Sequence, residues 1–183
     1  MMRLTLADAV PLRAVIQQRI RDLVGARDRA AVVVVAKGET PNAPDISVDE
    51  YTTRIAKARE DFRQLDRVMA AANLAHVLQW DGQALSLLEA IQLAKDWRQT
   101  ISEYKDLGKR PRVTRAMTRH LLRDATDLLE VAQYDPTWYQ REAERLERRV
   151  TRLSRRIDQA NEQIVVDFPA ASKYMAGDDE GDS

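Results

Sequence analysis

The sequence predicts a mainly α-helical protein: a long antiparallel helical hairpin or bundle of about four helices, with coiled-coil-like seams and a small β-element. Two long segments repeat hydrophobic residues at alternating steps of four and three, and a third, shorter segment does the same. A repeat that averages 3.5 residues keeps one narrow stripe facing a partner helix. Aromatic residues are sparse, at 5%, so aliphatic side chains supply most of the apolar surface. That mixture favours helices over a β-sandwich.

Each long stripe, called a seam below, spans 26 residues, or about 39 Å of helix. The first seam runs from Tyr51 to His76, and the second from Tyr139 to Ile164. Stripes of this length do not close into a compact core by themselves, so they predict helix-on-helix packing and association into a homo-oligomer. The residues expected at these interfaces are Ile55, Phe62, Leu65, Met69, Leu146, Val150, Leu153 and Ile157.

Capping residues indicate where the helices begin and end. Ser47 and Ser86 each open a capping box with a glutamate three residues later. Asp135 precedes a proline that suits the first turn of a helix. Gly108 is expected to end the third helix in a left-handed conformation. These positions predict helices over about Thr5–Arg27, Val48–His76, Ser86–Leu107 and Pro136–Ile164.

Two short stretches are expected to form the small β-element. Residues 31–36 read Ala-Val-Val-Val-Val-Ala, which predicts a strand or a buried extended segment, because the run is short and rich in β-branched residues. Residues 128–134 are expected to form a strand that pairs with it. Asp81-Gly82 indicates a turn. The whole arrangement predicts one helical bundle domain over residues 1–168, followed by a disordered acidic tail over residues 169–183.

The composition excludes several classes of protein. Basic and acidic side chains number 29 each, so no global field attracts nucleic acid or a membrane. The absence of cysteine excludes disulfides, thiolate metal sites and cysteine catalysis. No apolar run approaches the roughly 20 residues that span a bilayer, and the N-terminal residues do not resemble a signal peptide. We therefore expect a soluble cytoplasmic protein.

One basic segment is the leading candidate for a functional anion contact. Between residues 105 and 123, the positive side chains are opposed only by Asp106 and, just beyond the segment, Asp124. No aromatic residue lies among them to stack bases, which disfavours single-stranded nucleic acid. A second interpretation is that the acidic tail folds back on this segment. The candidate contacts are Lys109, Arg110, Arg112, Arg115 and Arg119.

A second basic segment lies in the last helix, where seven arginines occur within sixteen residues. The favoured interpretation is a solvated flank, in which arginine stems cover the seam and glutamates three or four residues away neutralise the charges. The alternative is a basic ridge that binds nucleic acid or phosphate, and the intervening acids would weaken such binding. The arginines concerned are Arg141, Arg145, Arg148, Arg149, Arg152, Arg155 and Arg156.

No residue pattern indicates an enzyme. The P-loop, GxGxxG, GxSxG and HExxH motifs are all absent. His76 and His120 have no second ligand at a spacing that suits a metal, so both are expected to be structural. The three tryptophans are expected to anchor the core or an interface. We therefore predict no catalytic residue, no cofactor and no metal.

Two stretches of the chain resemble a known family. One is AANLAHVLQWDGQALSLLEAIQLAKDWRQTISEYKDL, in which an Asp-Gly turn separates a long helix from the next; the other is LERRVTRLSRRIDQANEQIVVDF. Together with Thr5–Ile20, they are similar to the septicolysin-like family of small bacterial proteins. The likeness runs from about Leu4 to Phe168, although the valine run is more apolar than its counterpart in the family. The resemblance implies a mostly helical, self-associating protein of undetermined activity.

The leading functional prediction is a non-enzymatic helical interaction or assembly protein that acts as a homo-oligomer, with a further protein partner left open. The alternative is a nucleic-acid or anion-binding module that uses residues 105–123. A third prediction is a lytic, toxin-like protein, as the name of the family suggests. The sequence disfavours this third prediction, because no amphipathic stretch is wide enough to form a membrane-inserting hairpin.

Overall fold

A computed structural model describes residues 4–42, 44–115 and 129–175. Within these ranges the chain forms five helices and short antiparallel strand pairs, which confirms the predicted mainly α-helical fold with small β-elements. The chain divides into two compact units, Met1–His76 with Asp158–Ser183, and Val77–Ile157. The sequence instead predicts one bundle, because periodicity reports which face of a helix is covered and not which helix covers it.

The helices are α1 (Leu6–Ala30), α2 (Val48–Ala75), α3 (Leu87–Gly108), α4 (Pro136–Gln163) and α5 (Ala171–Met175). The strands are β1 (Leu4–Thr5), β2 (Val77–Trp80), β3 (Gln83–Ser86), β4 (Val113–Arg115), β5 (Leu129–Val131) and β6 (Val165–Val166). Strand β1 pairs with β6, β2 with β3, and β4 with β5, all antiparallel.

Side-chain caps determine where the long helices begin. The Thr5 hydroxyl accepts a hydrogen bond from the Asp8 amide at 3.1 Å, and the Asp8 carboxylate accepts one from the Thr5 amide at 3.0 Å. This is a complete capping box, and the box predicted at Ser86 is also complete. Ser47 caps α2 through its hydroxyl, while the Glu50 carboxylate pairs with an arginine one turn further on.

The first unit is built on the antiparallel pair of α1 and α2. Leu23, near the end of α1, packs with Ile55 and Ala58 near the start of α2. Further along the pair, the Arg13 guanidinium donates to both carboxylate oxygens of Asp66, at 2.5 and 3.3 Å. The buried side of α1 and the first seam of α2 therefore cover each other within one chain.

The second unit is built on α3 and the part of α4 that precedes Asp158. The Arg98 guanidinium donates to the Ser154 hydroxyl at 2.7 Å, and the rings of Tyr104 and Tyr139 meet edge-on with centroids 5.1 Å apart. Higher residue numbers on α3 therefore face lower numbers on α4, so the two helices run antiparallel.

Gly108 ends α3, but the predicted left-handed conformation is wrong, because this glycine has no positive φ. A Cβ atom at Gly108 would lie 3.1 Å from the Gln140 backbone nitrogen and 3.2 Å from its Cα atom. A glycine at this position allows the ends of α3 and α4 to approach closely. The need for a glycine at position 108 therefore comes from the contact with Gln140 and not from the conformation of the local turn.

The eight predicted interface residues are covered within the chain. Five of them are buried, and Phe62, Met69 and Leu146 are half-buried. These eight residues therefore do not provide the uncovered apolar surface from which the sequence predicts a homo-oligomer. A homo-oligomer stays a prediction that requires a different surface. The five buried residues are Ile55, Leu65, Val150, Leu153 and Ile157.

The strand predicted at residues 31–36 is wrong. These residues form an irregular connection after α1, and Val34 is 98% exposed. β-Branched residues favour a strand where a neighbouring strand pairs with them, and in the described part of the chain none pairs with this run. The strand predicted at residues 128–134 is present as β5, but it pairs with β4. Residue 128 itself lies outside the described residues.

The disordered tail predicted from residue 169 begins too early. Phe168 and Ala171 are buried, and α5 follows. The Tyr174 hydroxyl donates to the Asp61 carboxylate at 2.6 Å, and the Lys173 ammonium donates to the same oxygen at 3.1 Å. These contacts join residues more than a hundred positions apart, so composition alone does not indicate them. Residues 176–183 lie outside the described residues.

Replacement of Leu65 tests whether the first seam stabilises the first unit. Leu65 is fully buried in α2, so Leu65→Ala is expected to lower the free energy of unfolding by about 2–5 kcal/mol. Leu74→Ala is the matched control, because Leu74 lies in the same helix and is 59% exposed. Its expected effect is within about 0.5 kcal/mol. Urea denaturation followed by circular dichroism measures both, and equal losses would contradict the assignment.

Tyr174 makes the docking of α5 dependent on pH. Burial, together with the hydrogen bond to Asp61 and its negative charge, raises the pKa of Tyr174 above its ordinary value of 10.0. The folded state therefore disfavours tyrosinate: this contribution to stability is complete below pH 10 and is lost as the pH rises toward the folded pKa.

Tyr174→Phe is expected to cost about 0.5–1.5 kcal/mol at neutral pH. The difference in unfolding free energy between the wild type and this variant is expected to shrink above pH 10. Urea denaturation from neutral pH to pH 11 measures this difference. A gap that widened with pH would contradict the role of the hydroxyl. Tyr51→Phe is the control at neutral pH, because the Tyr51 hydroxyl has no hydrogen-bond partner among the described residues.

Candidate functional site

Five arginines form a straight line along α4, called the arginine stripe below. They follow one another at steps of four, three, four and three residues, the same spacing as the second seam. The stripe is displaced from the seam by two residues, or about 200° around the helix. The arginines therefore lie on the face opposite the buried one, over a length of about 21 Å. The members are Arg141, Arg145, Arg148, Arg152 and Arg155, all exposed.

Most of the stripe has no acidic partner. Arg145 pairs with Glu142 at 3.3 Å. The other four arginines make no hydrogen bond or ion pair with any residue that the structure describes. Glu147, one of the glutamates expected to neutralise them, pairs with Lys105 of α3. The interpretation of these arginines as a flank neutralised by nearby glutamates therefore holds only for Arg145.

The β2–β3 hairpin lies beside the stripe. Its two-residue turn consists of Asp81 and Gly82, with φ values of +46° and +80°. Positive φ at both central positions is typical of a type I′ turn, which confirms the turn predicted here. Two arginines that flank the stripe hold the hairpin: Arg149 pairs with the Asp81 carboxylate, and Arg156 donates to the Gln79 carbonyl at 3.0 Å.

The hairpin and α4 enclose two adjoining open grooves, of about 950 and 290 Å³. Both grooves share Asp81 and Arg152 in their lining. Together their walls carry six arginines against three carboxylates, so the surface is basic although the whole chain is neutral. The charged residues of the lining are Asp81, Glu144, Glu147, Arg145, Arg148, Arg149, Arg152, Arg155 and Arg156.

Trp80 contributes to the smaller groove and has an unused hydrogen-bond donor. The residue is buried, and its indole Nε1 has no acceptor among the described residues. Its ring packs 6.2 Å from that of Trp97, and the Arg149 guanidinium lies 4.6 Å above the Trp97 ring. An indole N–H only donates, as does a guanidinium. Because this indole nitrogen is itself buried, the donors that face the groove at this end are the guanidinium groups of its lining, which suit a ligand that supplies acceptor oxygens.

The residues predicted from the sequence as anion contacts lie elsewhere in the second unit. Lys109 caps the end of α3 and pairs with Asp106 at 3.3 Å. Arg110, Arg112 and Arg115 are exposed along the connection from α3 into β4, and none of the four lines either of the two grooves described above. Arg119 lies outside the described residues. The sequence contained the signal for the stripe, namely arginines two positions out of phase with the seam.

The described residues contain no group of three or more histidine, cysteine or acidic side chains placed to hold a metal ion. No described helix is both long and apolar enough to cross a membrane. Guanidinium groups outnumber carboxylates in the lining of the grooves, and guanidinium groups bind anions and stack on π-systems.

Comparison with known proteins identifies a structure with a similar fold but indicates no function. No protein-family model matches the chain, and no curated protein matches it. A crystal structure of a functionally unknown conserved protein from Corynebacterium diphtheriae is similar, with a TM-score of 0.66 and 17% sequence identity. The match covers 91% of this chain and 100% of that one. At this identity it shows the fold alone, and membership of the septicolysin-like family stays a prediction.

Gly82→Ala tests whether the hairpin turn depends on a left-handed glycine. No atom lies within 4 Å of the added Cβ, so only the backbone conformation opposes the substitution. The expected loss of unfolding free energy is about 1–2 kcal/mol.

Gly25→Ala in α1 is the control, since the φ of Gly25 is not positive and an added Cβ would make an ordinary 3.4 Å contact. This control is expected to stabilise the protein by about 0.4–1 kcal/mol. Thermal denaturation distinguishes them, and effects of the same sign would contradict the prediction.

Proposed function

We propose that this protein is a non-enzymatic module that binds the phosphate backbone of nucleic acid through the arginine stripe of α4. One observation carries the proposal: four exposed arginines on one line of the helix have no acidic partner among the described residues. An unpaired row of guanidinium groups favours phosphate oxygens, which accept two parallel hydrogen bonds from each.

The length of the stripe supports a linear polyanion over a small anion. The stripe extends over about 21 Å, whereas phosphates follow one another every 3.4 Å along each strand of a duplex. A single phosphate or nucleotide contacts only a part of such a row. All five stripe positions carry an arginine, and Glu144 is exposed beside them, so a polyanion that follows the row meets an excess of positive charge.

The zero net charge of the chain does not oppose this proposal. Two of the three carboxylates in the grooves are already neutralised, Asp81 by Arg149 and Glu147 by Lys105. Contacts with phosphate act within about one Debye length, roughly 10 Å at 0.1 M salt. The local excess of arginine therefore determines affinity.

A helical assembly protein stays the second candidate. The seams that motivated it are covered within the chain, but Val32–Val35 offer a separate apolar surface, with Val32 76% and Val33 58% exposed. A discrete oligomer in light scattering coupled to size exclusion would support this candidate. The lytic activity and the cytoplasmic location expected from the sequence also stay predictions.

Neutralisation of the stripe tests the proposed function. The triple variant Arg148→Gln, Arg152→Gln and Arg155→Gln is expected to bind a labelled DNA duplex at least tenfold more weakly than the wild type. The slope of log affinity against log salt is expected to fall by about three, since each phosphate contact contributes about 0.9. Fluorescence anisotropy between about 50 and 200 mM salt measures both quantities.

The matched control removes three charges from the segment that the sequence favoured: Arg110→Gln, Arg112→Gln and Arg115→Gln. All three are exposed and unpaired among the described residues. The control is expected to retain most of the affinity. A larger loss in the control than in the stripe variant would assign binding to residues 105–123 instead. No binding by the wild type at low salt would refute the proposed function outright.

A further inference from the structure

Trp138 extends the arginine stripe by one position. From Trp138 the steps to Arg141, Arg145 and Arg148 are three, four and three residues, so this position continues the row of arginines along the helix. About 4.5 Å of helix separates it from Arg141. Trp138 is 50% exposed, unlike the other two tryptophans, which are buried or half-buried. A large aromatic side chain therefore lies at one end of a row of arginines, of which Arg145 alone has an acidic partner among the described residues.

The surroundings of Trp138 restrict its orientation. Its ring meets the Tyr139 ring edge-on, with centroids 4.8 Å apart and an interplanar angle of 86°. The Tyr104 ring lies 6.0 Å away, tilted by 52°. Asp135 caps this turn by accepting a hydrogen bond from the Thr137 amide at 3.0 Å. An aromatic side chain that already packs against two neighbouring rings loses little rotamer freedom when a ligand binds.

The combination of an exposed aromatic ring and a row of arginines suits one form of nucleic acid. In a duplex the bases are already stacked within the helix, whereas an unpaired base presents a free π-face. Proteins that bind single strands combine aromatic platforms for the bases with a basic groove that follows the backbone. The basic segment at residues 105–123 has no aromatic residue among its charges, but the stripe on α4 has one at its end.

We infer that the ligand of this surface is single-stranded nucleic acid, with one base stacked on Trp138 and the following phosphates bound along Arg141, Arg145 and Arg148. This inference rests on the proposed function, because it specifies the ligand of the same stripe. The stacked base provides the preference for a single strand, and the arginines provide the affinity for any phosphate chain.

Trp138→Ala separates the two contributions. The variant is expected to bind labelled oligo-dT and oligo-U about 5- to 150-fold more weakly than the wild type, the range that stacking of one base spans. Its affinities for duplex DNA and for inorganic polyphosphate are expected to change less than about twofold, because these ligands offer no unpaired base. Trp138→Phe keeps an aromatic face and is expected to restore most of the lost affinity.

The possible outcomes distinguish the inference about single strands from the proposed function on which it rests. Loss on single strands alone, with rescue by phenylalanine, supports the inference, and the tighter of oligo-dT and oligo-U identifies DNA or RNA as the source. Unchanged single-strand affinity overturns the inference and leaves the proposed function in place. Equal loss on duplex and polyphosphate also overturns it, since Trp138 would then support the helix and not a base. No binding of any nucleic acid by the wild type overturns both.

Discussion

The orientation of α4 about its helix axis determines which side chains the second unit exposes to solvent. Val150, Leu153 and Ile157 are buried on one side of the helix, and contacts such as Arg98 with Ser154 tie that side to α3. Since the arginine stripe lies about 200° from the seam, burial of the apolar side directs the arginines outward. One pattern of spacing therefore specifies both the packing of α4 and the orientation of its charges.

Features with a local cause were predictable from the sequence. The caps at Thr5, Ser47 and Ser86 depend on side chains three residues apart, and the Asp81-Gly82 turn depends on two residues that tolerate positive φ. The buried faces of the long helices also followed from their periodicity. These elements need no knowledge of which helix meets which, so composition and spacing suffice to locate them.

Features with a tertiary cause were not predictable in this way. The role of Gly108 depends on Gln140 of the neighbouring helix, and the docking of α5 depends on Asp61, 113 residues from Tyr174. The candidate site lies between these cases. Its arginines were identified from the sequence, but their partners were not, because the nearby Glu147 binds Lys105 of α3. Four stripe arginines consequently remain unpaired among the described residues.

The exposed valine run after α1 also has a consequence for solubility. Runs of β-branched residues that contain no charge and no proline act as templates for intermolecular β-sheets. Natural sequences limit this hazard by placing charged residues at the ends of such runs. Arg29 and Lys37 occupy those flanking positions here. Because neither Val32 nor Val34 contributes to the core, we expect the main role of Lys37 to be to oppose aggregation of this exposed run. Loss of such a charge would then appear as aggregation, which measurements of folding stability alone do not detect.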